Sequence, residues 1–317
     1  MNENKVVLAG GGVLGAQIAF QSAFCGKDVT IWLRSEGSIG RAKPRIEKLY
    51  KTYLAELDNL NKLKGTKSMN FPRGFVDGTE ELTDADIKDM RERIEKAHDT
   101  IKYELDLAKA VKDAHFIIES VAENVEQKKA FYDNLSEVVE DDTIILTNSS
   151  TFLPSYFVDD VKNPERFLCL HFANNIWRGN IGEVMRHDKT SDEAFEATVK
   201  LAEEIRMVSV KVNKEQPGYL LNSLLVPFLD AAQQLWANDV ASPEDIDKAW
   251  KLGTGSPNGP FQIIDVVGLR TVYNITMNKP EASQEGTIDY KIANKLKEKI
   301  DAGQIGVEGG EGFYKYK

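Results

Sequence analysis

Lys5 to Ser35 reads KVVLAGGGVLGAQIAFQSAFCGKDVTIWLRS. A short apolar run, Val6 to Ala9, stops at three consecutive glycines, and after Gly15 an Ala-, Ile- and Phe-rich segment continues with helical spacing. A second β-rich run, Val29 to Leu33, closes the unit. Gly10-x-Gly12-x-x-Gly15 therefore sits between a predicted strand and a predicted helix, the context that separates a dinucleotide loop from a merely flexible turn. Gly10 permits the tight turn, Gly12 lets backbone approach a pyrophosphate, and Gly15 lets helix and strand pack closely. The helix then opens at Val13 and Leu14, whose N–H groups face the diphosphate.

The end of the second run bears on which dinucleotide is bound. NAD-binding versions usually place Asp or Glu about 20 residues after the glycines, to accept the ribose hydroxyls. Here Leu33, Arg34 and Ser35 stand in that place. A carboxylate would repel a 2′-phosphate, whereas a guanidinium offers it a fork of donors and gives adenine a planar face. The favoured reading is NADP(H). The alternative is NAD(H), with Glu36 holding the ribose and Arg34 only solvated.

The chain has 317 residues, 42% of them hydrophobic and 28% charged, as expected for a globular protein of two domains. A net charge of -10 argues against nucleic-acid or anionic-membrane binding, since both need a basic surface. The two cysteines, Cys25 and Cys169, read as core fillers and fit a reducing compartment. No apolar run has the length of a membrane span, and the start MNENK lacks a signal-peptide core, so a cytoplasmic location is expected.

After Ser35, Arg41 to Asp58 has a helical face of Ile46, Leu49, Tyr50, Tyr53, Leu54 and Leu57, and Thr83 to Ala97 reads as a second, charged helix. Residues 36–103 are expected to be a helical insertion projecting from the sheet, placed to cover a substrate. Its Arg41, Lys43, Arg45, Lys48 and Lys51 either offer donors to a phosphate-bearing substrate tail or are simply solvated. Strands then alternate with helices at His115 to Glu119, Thr143 to Thr147, Phe167 to His171, around Asn180 to Met185, and Met207 to Val212. That alternation indicates a parallel sheet, with ligands at the strands' carboxyl ends. Beyond Gln216-Pro217-Gly218 the pattern is helical, and Tyr219 to Ala237 is apolar all round, as for a helix buried within its domain or by a second subunit. The expected architecture is α/β: a Rossmann-type domain with a helical insertion over residues 1–213, then an all-α domain over 214–317.

Four histidines occur. His98 lies in the charged insertion, His115 opens a strand far from its carboxyl end, and His187 follows a strand at an expected exposed site. His171 ends an apolar strand inside the expected cleft, where a proton donor beside a nicotinamide belongs. Glu183, in an otherwise apolar strand, is a candidate to orient its ring, the alternative being a surface pair with Arg178 or Arg186. Ser150 and Asn222 are hydrogen-bonding candidates on either side of an interdomain cleft, or else caps and turn residues. No tyrosine is followed four residues later by lysine, so the Tyr-x-x-x-Lys acid of short-chain dehydrogenases is missing. With no clustered His and Cys, no metal is expected.

Glu119-Ser-Val-Ala-Glu-Asn124, Asn148-Ser-Ser-Thr151, His171-Phe-Ala-Asn174, Pro217-Gly-Tyr-Leu-Leu-Asn222 with Leu224-Leu-Val-Pro227, Ala241-Ser-Pro-Glu-Asp-Ile-Asp247, Gly259-Pro-Phe261 and Gly312-Phe-Tyr314 resemble, in order, the L-3-hydroxyacyl-CoA dehydrogenases. TNSST, LHFAN followed by Trp177, GYLLNSLLVP and GTGSPNGPF look most like that family's diketoreductase branch, which reduces β-keto and diketo acid derivatives. The resemblance implies a homodimer that moves a hydride between NAD(P)(H) and the 3-position of a 3-oxo or 3-hydroxyacyl compound. It implies His171 as acid/base, Glu183 as its orienting partner, and Ser150 and Asn222 as holders of the substrate oxygen. Glu123, Lys128 and Asn174 match positions near the nicotinamide, and Asn148 joins them as a cofactor contact. Three departures stand out: Ala173-Asn174-Asn175 for the usual Phe-Asn-Pro, Ser223 for a common Arg, and Val307, Glu308 and Glu311 where basic residues are usual. Two other readings stay open: an NAD-dependent 3-hydroxyacyl-CoA dehydrogenase of fatty-acid or butyrate metabolism acting on a CoA thioester, and a non-catalytic dinucleotide sensor.

Overall fold

The computed structural model describes residues 2–316. Its first 220 residues form one compact unit and Leu221 to Lys317 a second. In chain order the first unit contains β1 (Asn2–Ala9), α1 (Val13–Phe24), β2 (Asp28–Trp32), α2 (Glu36–Leu63), α3 (Asp84–Thr100), β3 (Lys102–Glu104), α4 (Leu107–Val111) and β4 (Ala114–Glu119). It continues through α5 (Val125–Val138), β5 (Ile144–Thr147), β6 (Phe167–Phe172), β7 (Ile181–Met185), α6 (Asp192–Glu204) and β8 (Val208–Val212). The eight strands make one sheet in the order β3-β2-β1-β4-β5-β6-β7-β8.

The strands are apolar on both faces because both are covered. Val6 and Leu8 of β1, Phe116 and Ile118 of β4, and Ile144 and Leu146 of β5 enter a core shared with α1, α2, α3 and α6. The alternate residues Val7, Ala9, Ile117 and Ile145 enter a second core with α4 and α5. This is the two-step side-chain alternation of a sheet sandwiched between helices.

Two expectations change. The sheet is not wholly parallel: β6 and β7 pair antiparallel, with His171 opposite Glu183 and Phe172 opposite Gly182. The turn between them is too short for the helical crossover that parallel neighbours need. The segment 36–103 does not project either. Its long helix α2 buries Ile46, Leu49, Tyr53, Leu57 and Leu60, and α3 buries Met90, Ile94 and Ala97, all in the core they share with α1. Tyr53 also donates to the Gln21 side chain at 2.6 Å. Helices that deep in the core cannot swing as a flap.

The second unit is helical: α7 (Leu221–Ala237), α8 (Pro243–Thr254), α9 (Pro260–Val267), α10 (Leu269–Met277) and α11 (Ile288–Asp301). Two buried carboxylates organise it. Asp247 accepts from the Phe261 and Gln262 N–H groups at the start of α9 and from the Tyr314 hydroxyl, satisfying donors that a helix N-terminus leaves open. Asp265 accepts from the Phe313 and Tyr314 N–H groups and the Tyr316 hydroxyl, stapling the C-terminal segment to α9. Its helix α7 is only half covered, burying Leu229, Ala232, Gln233 and Ala237 but leaving Leu224 74% exposed.

Candidate active site and cofactor cleft

The glycine loop leaves β1 with Gly10 at φ +122°, in the left-handed region, where a side chain would strike the Ser120 carbonyl. A Cβ on Gly15 would lie 2.5 Å from the Gly10 carbonyl oxygen, which is the close helix–strand packing expected of it. A Cβ on Gly12 would meet nothing within 4 Å, because that position faces an open cleft of about 660 Å³. The loop therefore fits a pyrophosphate: backbone bare on the open side, at the start of α1.

Gly10, Gly12, Val13, Leu14, Leu33 and Arg34 all line this cleft. So do Arg41 and Arg45, and no Asp or Glu is on its wall among the described residues. Arg45 donates to the Gly11 carbonyl at 3.0 Å and Arg41 to the Ser38 hydroxyl at 2.9 Å. Their three guanidinium groups make a positive wall in a chain of charge -10. Arg41 and Arg45 lie on the helix after β2 and were read above, with their neighbouring lysines, as either donors to a substrate tail or simply solvated. Ser35 is not a wall residue; it is the N-cap of α2 and accepts from the Ser38 N–H at 3.3 Å. Leu33 is 4% exposed and packs against the glycine loop, where a Cβ on Gly11 would come within 3.0 Å of it.

At the carboxyl ends of β4 and β5 a buried polar cluster sets the loop that carries Ser150. Glu119, fully buried, accepts from Lys128 at 2.7 and 2.9 Å, Tyr132 at 2.9 Å, Thr147 at 2.8 Å and the Val121 N–H at 2.8 Å. A carboxylate so buried persists only when paired and hydrogen-bonded. Lys128 is 1% exposed, and its second partner is Glu123 at 3.2 Å. Its ammonium is thus shared inside the core between Glu119 and Glu123 and orients the Glu123 carboxylate. Glu123 in turn accepts from the Ser149 hydroxyl and, at 2.7 Å, from the Ser150 N–H. Asn148 accepts from the Phe172 N–H at 3.2 Å, tying this loop to β6. Asn174 is exposed in the β6–β7 loop. Neither Asn148, Asn174, Glu123 nor Lys128 lines the cleft.

His171 lies beside that loop. Its Nδ1 is 3.0 Å from Glu183 and its Nε2 3.1 Å from the Ser150 hydroxyl, with His171 4% and Glu183 1% exposed. Glu183 is therefore no surface partner of Arg178 or Arg186; those arginines bind Glu56 and Asp192. The other Glu183 oxygen accepts from the Leu220 N–H at 2.9 Å. An ionised carboxylate only accepts, so Nδ1 carries a proton and Nε2 is left to exchange one with an oxygen at the Ser150 side. Tyr219, not singled out by the sequence, lies parallel to the imidazole at 4.2 Å. Burial pushes its hydroxyl well above the ordinary phenol range, and likewise the Cys169 thiol, so both stay protonated. Cys25 is pushed up to about 11 by burial and is no nucleophile either. Asn222 lies in the first turn of α7, in the second unit.

The remaining histidines stand outside this arrangement. His98 contacts Glu47 and Asp99. His187 is buried, not exposed as expected, because its Nε2 bonds the Phe167 carbonyl at 2.8 Å and its ring packs on Phe167.

The comparison with known proteins turns this geometry into an identity. Residues 5–216 match the model of the 3-hydroxyacyl-CoA dehydrogenase NAD binding domain, and residues 218–316 that of the 3-hydroxyacyl-CoA dehydrogenase C-terminal domain. This chain belongs to the 3-hydroxyacyl-CoA dehydrogenase family. It is 31% identical to the human mitochondrial hydroxyacyl-coenzyme A dehydrogenase over 98% of this chain and 91% of that protein. With the 3-hydroxybutyryl-CoA dehydrogenase of Clostridioides difficile the identity is 31% over 98% and 99% of the two chains. A solved diketoreductase, described as catalysing reactions of dicarbonyl compounds, is 41% identical over 99% of both chains with a TM-score of 0.83. The chain is a nicotinamide-dependent oxidoreductase in the diketoreductase-like branch of the 3-hydroxyacyl-CoA dehydrogenase family. Among the described residues no helix is long and apolar enough to cross a membrane.

Proposed function

We propose that this 3-hydroxyacyl-CoA dehydrogenase relative is an NADP(H)-favouring reductase of 3-oxo acyl compounds, with His171 as the proton carrier. The observation that carries the reading is the line from the exposed Ser150 hydroxyl through the buried His171 to the buried Glu183, at 3.1 and 3.0 Å. The bound dihydronicotinamide supplies the hydride that reduces the carbonyl carbon. In that direction His171 enters protonated and gives its Nε2 proton to the developing alkoxide, while the Ser150 hydroxyl polarises the same oxygen. Glu183 holds the ring in one tautomer and stabilises the imidazolium. In oxidation the same atoms take the proton back. His171→Gln should lower kcat by about 10²- to 10⁴-fold with cofactor binding intact, measured by initial rates and nucleotide fluorescence; near-normal turnover would overturn the assignment.

The preference for NADP(H) rests on three arginines and no carboxylate along the cleft wall. A 2′-phosphate there gains charge-assisted hydrogen bonds, while a ribose diol finds no acidic acceptor on that wall. Arg34→Ala should raise the NADPH KM about tenfold or more and leave that of NADH nearly unchanged. Preference of the wild type for NADH, with no loss of NADPH affinity in the variant, would favour NAD(H) and Glu36. The substrate side has Ser223, Val307, Glu308 and Glu311 where the family commonly has basic residues. That loss of cationic donors supports a free β-keto or diketo acid derivative over a CoA thioester. Rates with acetoacetyl-CoA against an unactivated β-keto ester, each with NADH and NADPH, decide both questions. A homodimer is part of the same proposal, supported by apolar side chains left open on the second unit: Leu224, Leu252 and Val266 are 74%, 78% and 69% exposed.

A further inference from the structure

We infer that Tyr219 and the N–H that follows it form an elbow that positions His171, Glu183 and the loop carrying Ser150 at once. The inference rests on His171 being the proton carrier, and it gives Tyr219 a role of its own. Three contacts converge on this dipeptide. The Tyr219 ring lies 4° from parallel with the imidazole at a centroid distance of 4.2 Å, so the plane of His171 is held by a face-on neighbour. The Leu220 N–H donates to the Glu183 oxygen that His171 does not use, at 2.9 Å. The Tyr219 hydroxyl donates to the Ser149 carbonyl, and the Cys169 thiol lies 2.8 Å from the same hydroxyl. Ser149 directly precedes Ser150, the residue whose hydroxyl meets Nε2. One side chain therefore fixes the ring and the backbone of the ring's partner, and the next N–H fixes the carboxylate behind it.

The backbone supports this reading. Tyr219 has φ +55°, a left-handed conformation uncommon for a bulky residue and kept only where surrounding contacts over-determine it. That turn, after Gly218 at φ +78°, lets the ring face His171 while the succeeding N–H faces Glu183. Tyr219 is 2% exposed and shares a core with Cys169 and Met185. Its hydroxyl stays protonated because burial disfavours the phenolate, so it serves as a donor and takes no part in proton transfer. Tyr219 is a positioning residue.

Two variants, each also made in the His171→Gln background, test the elbow. Tyr219→Leu removes ring and hydroxyl; Tyr219→Phe keeps the ring and removes only the grip on Ser149. The Leu variant should lose about 10²-fold in kcat, with the substrate KM and the nucleotide Kd within about twofold, since a misplaced catalytic group slows chemistry without touching ground-state binding. The Phe variant should lose kcat by a smaller factor, about three- to tenfold. In the His171→Gln background both should have less than about a threefold further effect, because the residue they act through is gone. Full additivity would mark Tyr219 as only structural and overturn the inference, as would a wild-type kcat in Tyr219→Leu. If the Leu variant melts too low to assay, Tyr219→Phe decides: wild-type kcat overturns the inference, and a drop that vanishes in the His171→Gln background supports it. An active His171→Gln enzyme would instead remove the proton-carrier reading, so the two failures are told apart.

Discussion

Lys128 shows how much a residue's role depends on what surrounds it. The family resemblance implies a place near the nicotinamide for it, and in the structure its ammonium is 1% exposed and shared between Glu119 and Glu123. A buried charge is tolerated because its partner is buried with it, and removing one member strands the other. Lys128→Met should therefore destabilise the protein by about 3–5 kcal/mol, read from urea melts. Lys128→Met combined with Glu119→Gln should recover part of that loss, because the fully buried carboxylate is no longer left unpaired, and Glu123, 39% exposed, keeps solvent access. A surface lysine would cost well under about 1 kcal/mol in the same assay, so the contrast is large. The arginines differ for the same reason: Arg34 and Arg41 are exposed and stay available to a ligand on the cleft wall.

The element that decides the centre is the β6–β7 pair. Antiparallel pairing puts His171 directly opposite Glu183 on one face; a one-residue slip would turn Glu183 to the other face. The loop joining the strands is held from three sides. Gln17 of α1 accepts from the Asn175 N–H at 2.8 Å, the Trp177 carbonyl accepts from the Gly74 N–H at 2.9 Å, and Glu56 of α2 accepts from the Trp177 indole and from two nitrogens of Arg178. The helix α2, expected to stand off the sheet, is thus one of the supports of the turn behind His171. Glu56→Ala strips the buried indole of its acceptor and leaves the Arg178 guanidinium only Asn70. It should cost about 3 kcal/mol and speed amide hydrogen exchange at Asn175 and Ile176 more than in β1. Equal protection in both places would show that Glu56 is not what holds the loop.

At the scale of the molecule, the second unit carries the open apolar side chains. A helix with the composition of α7, which includes Leu224 at 74% exposure, is costly to leave in water. Light scattering across a dilution series should give twice the mass of a 35.5 kDa chain, and Leu224→Asp with Leu252→Asp should shift it toward the monomer. A monomeric wild type at micromolar concentration would remove the dimer from the proposal.

Much of this was legible in the sequence, because local patterns report local physics. The glycine spacing between a strand and a helix announced the dinucleotide loop, two-faced apolar strands announced a covered sheet, and the strand-end position of His171 marked it from among four histidines. The family motifs were readable in order along the chain for the same reason. What the sequence could not contain was proximity between distant segments. The packing of α2 into the main core, the arrival of Arg41 and Arg45 at the cleft and the stacking of Tyr219 on His171 join residues far apart in the chain, and the antiparallel turn after β6 and the burial of Lys128 depend on what packs around them. A periodicity tells which face of an element is apolar; only strand register and the closure of the core decide which side chain that face meets.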